Sequence, residues 1–127
     1  MPVRPTGRRQ FSQKGGPAMG RDTLGEVEQL VLLAILRLGD GAYGVPIVEE
    51  ILDRTGRDVS RAAVYIALRR LKQKGLVSSR LAAPEPIQGG KAKRYFSVEA
   101  DGIERLAESR STLMSMWDGL QPMLDKR

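Results

Sequence analysis

Apolar residues recur at three- and four-residue steps in four stretches of this chain, and this periodicity predicts four amphipathic helices. The helices cover about residues 23–38, 45–55, 60–74 and 100–120. Glycines follow the first three at Gly39, Gly56 and Gly75, which is typical of helix ends. Ser60 is the best N-cap for the third helix, because a serine oxygen can accept from the free amides of the first turn.

Two short strands are predicted after the third helix. Leu76 to Leu81 and Ala92 to Val98 have the pattern of strands, and residues 83–90 between them are rich in proline and glycine. This connection is too long for a tight hairpin, as expected of a wing. In the return strand we expect Phe96 to face the core and Tyr95 to lie on the other side. The predicted fold is mainly α with a small β-hairpin: a winged helix-turn-helix plus a long C-terminal dimerisation helix.

The two faces of the third predicted helix differ in chemistry. Val64, Leu68 and Leu71 share the face that must pack inward, whereas Tyr65 and Arg69 lie on the opposite face. The major groove of B-DNA admits one α-helix, and its base edges are read by polar side chains on the exposed face of that helix. We therefore interpret the third helix as a DNA-reading helix and the hairpin as its wing.

The candidate DNA contacts lie on this helix and on the wing. They are Ser60, Arg61, Ala62, Tyr65, Arg69, Arg70, Lys72, Lys91, Lys93 and Arg94. Arg69 suits a guanine edge, Ala62 a thymine methyl group and the Tyr65 hydroxyl a phosphate. The other cations of the helix suit phosphates, which position a protein without reading sequence, and those of the wing suit phosphates or the minor groove. Two alternatives stay open: Tyr65 as a half-buried aromatic that caps the core, and Arg69 with Arg70 as ordinary surface charge.

The net charge of +6 is unevenly placed along the chain. Residues 54–94 contain eleven basic and two acidic residues, whereas residues 22–53 contain one basic and seven acidic residues. Such an uneven distribution of charge creates a polarised electrostatic field, which suits the binding of a polyanion on one side of the molecule. Residues 1–21 have little apolar content and five basic residues, which predicts a disordered basic arm. The arm either follows a DNA groove or stays solvated.

Composition excludes several classes of protein. The 127 residues include no cysteine and no histidine, so disulfides, zinc fingers and Cys- or His-based catalysis are ruled out. We expect no enzyme activity, no metal and no cofactor. There is no apolar run of about 18 residues and no signal-peptide pattern, so a cytoplasmic protein is expected. The length fits one folded unit, with residues 22–98 as the winged-helix DNA-binding domain and 99–127 as the C-terminal dimerisation helix.

The last predicted helix has coiled-coil-like spacing. Its seam residues are Ile103, Leu106, Leu113, Trp117, Leu120 and Leu124. Arg110 interrupts this seam at one position. A surface helix keeps such residues aligned only when another helix covers them, and the core of a chain this short is too small to do so fully. The pattern therefore predicts a homodimer.

Several segments together form a recognisable combination. They are Leu24-Gly25-Glu26-Val27-Glu28 leading into residues 30–36, Ala42-Tyr43-Gly44, Ser60 through Val64-Tyr65, Leu68-Arg69-Arg70-Leu71, Lys74-Gly75-Leu76-Val77, Gly89-Gly90 leading to Arg94-Tyr95-Phe96, and Gly102. In these segments the chain resembles the PadR family of bacterial transcriptional regulators over about residues 23–120. The resemblance is to the short-tailed branch, which has a single helix after the wing.

The resemblance implies a homodimeric winged-helix repressor that binds a dyad-symmetric operator in double-stranded DNA, with the first and last helices at the dimer interface. The interface residues are then Leu24, Val27, Leu106, Leu113, Trp117 and Leu120. Some family members release DNA when an aromatic or cationic small molecule stacks between the subunits on a tryptophan of the last helix. Trp117 is the candidate here, with Leu113 and Met114 beside it. The alternative is a tryptophan that only packs in the interface.

The chain departs from the family pattern in three places. Glu99 precedes the last helix where the family usually has a threonine cap, which shifts the cap to Ser97 or weakens it. Val45-Pro46 stands where an aromatic-acidic pair is common, and residues 1–21 have no family counterpart. Two rival functions also stay open: a nucleoid-type DNA binder without sequence preference, and a protein-interaction adaptor that uses the winged helix as a scaffold.

Overall fold

A computed structural model describes residues 23–82 and 92–124 of the chain. Its elements are α1 (Glu26–Leu38), α2 (Gly44–Thr55), α3 (Arg61–Gln73), β1 (Val77–Ala82), β2 (Lys93–Val98), α4 (Ala100–Trp117) and α5 (Gln121–Leu124). A turn of 3₁₀ helix, Gly39–Gly41, connects α1 to α2. This order confirms the predicted mainly α fold with a small hairpin. The predicted basic arm, the wing tip and Lys91 lie outside the described residues.

Helix α1 begins three residues later than the apolar periodicity predicts. Gly25 is its N-cap, in an extended conformation, and the Gly25 amide donates to Glu28 Oε1 at 3.0 Å. The Glu28 carboxylate thus satisfies an amide at the helix start, as in a capping box. Leu24 continues the apolar stripe and packs against the core, but it does so from outside the helix. Apolar spacing alone therefore overestimates the length of α1.

The core lies between the first three helices and the hairpin. Its largest fully buried side chains are Val31, Leu32, Ile35, Ile47, Val64, Leu71 and Leu76. The predicted inward face of α3 is buried along its length, and Tyr65 and Arg69 on the other face are exposed. Phe96 reaches the core from β2 and is 7% exposed, which confirms its predicted orientation.

Gly75 ends the third helix in the left-handed conformation, with φ of 78°. The Gly75 amide donates to the Lys72 carbonyl at 3.0 Å, and the Leu76 amide donates to the Leu71 carbonyl at 2.9 Å. These are the two hydrogen bonds of a Schellman motif. Leu76 is buried at this turn, and β1 therefore begins at Val77, one residue later than predicted.

The hairpin is joined to the helices at its edge. β1 and β2 pair antiparallel, with Val77 opposite Val98 and Ala82 opposite Lys93. The Phe96 amide donates to the Ala42 carbonyl at 2.8 Å. This backbone hydrogen bond attaches the connection before α2 to the hairpin, so it links the helix-turn-helix directly to the wing.

Helix α4 is held to the core at its first turn. A β-carbon on Gly102 would lie 2.5 Å from the Leu76 carbonyl oxygen and 2.7 Å from Val98 Cγ1, so only glycine permits this approach. No side chain caps the helix at Glu99, in line with the weakened cap expected there. Every residue from Arg110 to the end of the described chain is exposed. The last eight of the 18 residues of α4 therefore lie outside the core.

The last helix is shorter than predicted. It ends at Trp117 rather than at Leu120, and Gly119 follows with φ of 85°. An α-helix cannot contain a left-handed residue, so the chain turns there before the short α5. Leu120 and Leu124 therefore do not continue the straight seam of α4, and the predicted helix end near residue 120 lies three residues too late.

A largely buried ion pair joins α1 to the end of α3. Lys74 Nζ lies 2.9 Å from Glu28 Oε1, and the two side chains are 21% and 9% exposed. Lys74 Nζ also donates to the Thr23 carbonyl at 3.0 Å. Because Glu28 also accepts from the start of its own helix, the pair sets the beginning of α1 against the end of α3.

We expect Glu28→Gln to lower the free energy of unfolding by about 1–3 kcal/mol, because it leaves the Lys74 ammonium without a counter-charge. Urea unfolding followed by circular dichroism measures this change. The matched control is Glu26→Gln, because Glu26 forms an exposed ion pair with Arg57 at 2.9 Å. Such exposed pairs contribute about 0–1 kcal/mol. Equal destabilisation by the two substitutions would contradict the role of Glu28.

Candidate nucleic-acid interface

The exposed face and flanks of α3 carry the side chains predicted to contact DNA. Those on the helix are Arg61, Ala62, Tyr65, Arg69, Arg70 and Lys72, and all are exposed. Ser60 precedes the helix, and its Oγ accepts from the Ala63 amide at 3.0 Å. This hydrogen bond confirms Ser60 as the N-cap and holds the first turn, from which a reading helix contacts bases.

Positive charge on α3 lies on exposed side chains. The helix carries four basic and no acidic residues. Within residues 23–82 and 92–124, no ion pair involves any of these four side chains. Exposed cations that lack internal partners are the electrostatic arrangement expected for phosphate contacts.

Aromatic and cationic side chains connect the wing to the start of α2. The rings of Tyr43 and Tyr95 meet edge to face, with centroids 5.3 Å apart and planes at 63°. Lys93 Nζ lies 5.2 Å from the centroid of Tyr43, and Arg80 Cζ lies 4.9 Å from that of Tyr95. Each exposed contact of this kind contributes about 0.5–1 kcal/mol. The stack therefore holds the Lys93 charge beside α2.

Sequence reasoning missed Tyr43 and Arg80 as parts of this surface. The only signal for these two residues in the sequence was their aromatic or basic type. That type does not identify their neighbours, because a tyrosine in a short connection and an arginine on a strand can each contact many residues. Arg80 contacts Tyr95 because the hairpin register places them opposite each other. A long wing connection does not set that register locally, so the pairing could not be predicted.

Predicted contacts from the reading helix and the wing come together beside α2. Tyr65, Lys93 and Arg94 line a cavity of about 510 Å³ whose other walls include the start of α2 and Phe96. Arg94 is exposed, and its Nη1 donates to Ser79 Oγ at 3.1 Å. A tyrosine of α3 and two basic residues of β2 thus border one cavity.

A second, apolar groove lies between α1 and α4 and has a volume of about 510 Å³. Its lining residues are Gln29, Leu33, Leu36, Ile103, Leu106, Ala107, Arg110, Leu113, Met114 and Trp117. The predicted ligand residues Trp117, Leu113 and Met114 therefore lie together on one wall. Leu33 and Leu36 of α1 form the opposite wall, and each is 46% exposed. Sequence reasoning did not single out these two leucines, although both lie off the core stripe of α1.

The predicted dimer-interface residues fall into two groups. Leu24, Val27 and Leu106 pack partly against the core of their own chain. Leu113, Trp117 and Leu120 remain 51%, 43% and 44% exposed. The exposed group therefore lacks a covering element within the described chain.

Two further observations concern the described residues alone. In residues 23–82 and 92–124, no group of three His, Cys, Asp or Glu side chains comes close enough to hold a metal ion. No helix in these ranges combines the length and the apolar character that a membrane span requires.

The capped reading helix, the preceding helices and the paired strands define a winged helix-turn-helix protein. The family model described as the transcriptional regulator PadR-like family matches residues 32–108, which is more than half of the chain. The chain therefore belongs to the PadR-like family of transcriptional regulators.

Solved structures of regulators have the same fold. A PadR family transcriptional regulator from Eggerthella lenta is 26% identical, with 78% of this chain and 84% of that chain covered and a TM-score of 0.59. A PadR family regulator from Clostridium difficile is 19% identical, with 80% and 97% covered and a TM-score of 0.60. A transcriptional regulator from Clostridium thermocellum is 19% identical, with 76% and 90% covered and a TM-score of 0.62. Among curated proteins, none matches the chain significantly.

Proposed function

We propose that this chain is a sequence-specific DNA-binding repressor that acts as a homodimer on a dyad-symmetric operator. The observation that carries the proposal is the exposed face of α3, which has four basic residues without ion-pair partners in the described chain and lies beside the cations of β2. The side chains on this face suit both parts of DNA recognition, namely base edges and phosphates.

The proposed roles follow from the position of each side chain. Arg69 and Ala62 lie on the exposed face and are assigned to a guanine edge and a thymine methyl group. Tyr65, Lys93 and Arg94 share one cavity and are assigned to the sugar-phosphate backbone. Arg61, Arg70, Lys72 and Lys91 are assigned to flanking phosphates, and Ser60 to the start of the helix at the groove. Lys91 lies outside the described residues, so its assignment rests on the sequence alone.

Selection of duplexes from a random DNA pool tests the function directly. A specific regulator enriches a dyad motif and binds it about 10³–10⁷ times more tightly than random DNA at the same salt concentration. A nucleoid-type binder would retain DNA without enriching a motif, and an adaptor would retain none even at low salt. A reporter gene placed behind the selected motif then shows lower expression in the presence of a repressor.

The homodimer rests on the apolar surface shared by α1 and α4. Leu33, Leu36, Leu113 and Trp117 are each more than two-fifths exposed on this surface. A second copy that brings the same surface would cover these side chains, which is how a two-fold interface forms. Monomeric proteins rarely leave such a continuous apolar face uncovered.

The proposed effector site is the groove between α1 and α4. Trp117 offers a flat aromatic surface, and Met114 beside it has a flexible, polarizable side chain that adapts to varied ligands. We propose that a small planar aromatic molecule binds here and changes the separation of the two reading helices, which must match one turn of DNA, about 34 Å. A cation is the less favoured ligand, because Arg110 is the charged residue among the groove's lining residues and would repel it.

Arg69→Ala should weaken binding to the selected motif by about 1–3 kcal/mol and relax the preference at one base pair per half-site. Lys72→Ala serves as the contrasting variant. Loss of a phosphate contact should weaken binding to all sequences alike and lower the slope of log affinity against log salt concentration by about one. Fluorescence anisotropy with matched and mutated duplexes measures both. Unchanged discrimination in Arg69→Ala would remove this residue from the specificity set.

Sedimentation equilibrium at concentrations on the order of 10 µM should show a dimer for the native chain. Leu113→Asp should shift it to a monomer, because the new charge would be buried against the second copy. Leu81→Asp is the matched control, since Leu81 lies on the wing and is 60% exposed. A folded native monomer under these conditions would refute the homodimer.

Planar dyes should quench the fluorescence of Trp117, the only tryptophan of the chain, with affinity in about the micromolar range. Anionic and cationic dyes of the same shape are compared, and the anionic dye should bind more tightly because of Arg110. Arg110→Gln should abolish that difference without closing the groove. If no dye of either charge quenches Trp117, the groove is not a ligand site and the tryptophan is structural.

A further inference from the structure

The first residue of α2 is in close contact with the reading helix. Gly44 is buried, and a β-carbon built on it would overlap the Tyr65 hydroxyl oxygen. The same β-carbon would lie 2.6 Å from Cζ and 2.9 Å from Cε1 of the Tyr65 ring. The tip of the tyrosine therefore occupies the space that any other side chain at position 44 would need.

Backbone conformation does not explain a glycine at this position. The glycines with positive φ are Gly39, Gly56, Gly75 and Gly119 among the described residues, and Gly44 is not one of them. A glycine inside a helix is also less stable than an alanine, because the unfolded chain loses more freedom on folding. The feature of Gly44 that matters is therefore the space above its α-carbon.

The contact determines where Tyr65 presents its hydroxyl. The tip of the ring lies against the first turn of α2, and Tyr65 as a whole remains 45% exposed. Lys93 and Arg94 line the same cavity as Tyr65, so two basic residues border the space beside its ring. A phosphate attracted by these cations would find a neutral O–H donor already in place, and little side-chain freedom would be lost on binding.

We propose that Gly44 is a positioning residue for DNA recognition. Its missing side chain lets Tyr65 pack across α2, and this packing aims the Tyr65 hydroxyl at the DNA backbone. The proposal rests on the proposed DNA-binding function. Gly44 would act without touching DNA itself, because its contact fixes the orientation of the Tyr65 side chain.

Gly44→Ala is the variant that tests the proposal, and Gly41→Ala is its matched control. Gly41 lies three residues earlier in the same connection, and a β-carbon there meets nothing within 4 Å. Gly44→Ala should displace the Tyr65 ring and lower affinity for the selected operator about tenfold, as expected when a hydrogen bond to a charged group is lost. Gly41→Ala should change affinity by less than about twofold.

Combination with Tyr65 variants separates positioning from general damage. Tyr65→Ala should lower affinity about tenfold, and adding Gly44→Ala should lower it no further, because the ring that the new methyl group displaces is gone. Tyr65→Phe keeps the ring over α2 and removes only the hydroxyl, so it should also lower the affinity for the operator about tenfold. It keeps the proposal testable if Gly44→Ala does not fold.

A measurement without DNA reports the displacement itself. The chain has three tyrosines, so the aromatic resonances of Tyr65 can be assigned in an NMR spectrum by comparison with Tyr65→Phe. The chemical shifts of these resonances should change in Gly44→Ala and remain the same in Gly41→Ala.

The possible outcomes distinguish the two proposals. Moved resonances with affinity lowered in Gly44→Ala but not in Gly41→Ala would support the positioning role. Unchanged affinity in Gly44→Ala or in Tyr65→Phe, or additive losses in the double variant, would overturn it while leaving the DNA-binding function intact. A native chain that binds no duplex would refute the proposed function, and the positioning role with it, even if the Tyr65 resonances move.

Discussion

The end of α3 connects almost every element of this fold. Lys74 pairs with Glu28 of α1, and two residues later Leu76 is buried beneath the hairpin. The Leu76 carbonyl accepts from the Glu99 amide at 2.8 Å and lies against Gly102, so it also holds the start of α4. Three consecutive residues thereby fix α1, the wing and α4 relative to α3. A change in packing at this point would displace both the exposed surface of α3 and the apolar groove.

Helix α1 contacts both the apolar groove and the end of α3. Leu33 and Leu36 form one wall of the apolar groove, while Glu28 at the other end of the same helix holds Lys74. A rigid movement of α1 would therefore carry the end of α3 with it, because a buried ion pair resists separation. The proposed ligand control would require such a link, since a ligand acts only through different contacts in two states.

The wing and α2 are linked by contacts of a different kind. Tyr43 and Tyr95 meet edge to face with a cation over each ring, and the Ala42 carbonyl accepts from the Phe96 amide. These contacts hold Lys93 beside the start of α2 and Arg80 on the wing without neutralising their charge, because a ring attracts a cation through its quadrupole. Positive potential is thus concentrated where the helix and the wing meet.

Local chemistry in the sequence determined the helices, the Ser60 cap, the glycine stops and the inward direction of Phe96, because each depends on neighbours within a few residues. The resemblance to PadR regulators rests on those same local motifs. Only the tertiary structure decided the Glu28–Lys74 pair, the packing of Tyr65 on Gly44 and the opposing walls of the apolar groove. These contacts join residues that are distant along the chain, and helix crossing and strand register determine whether they meet.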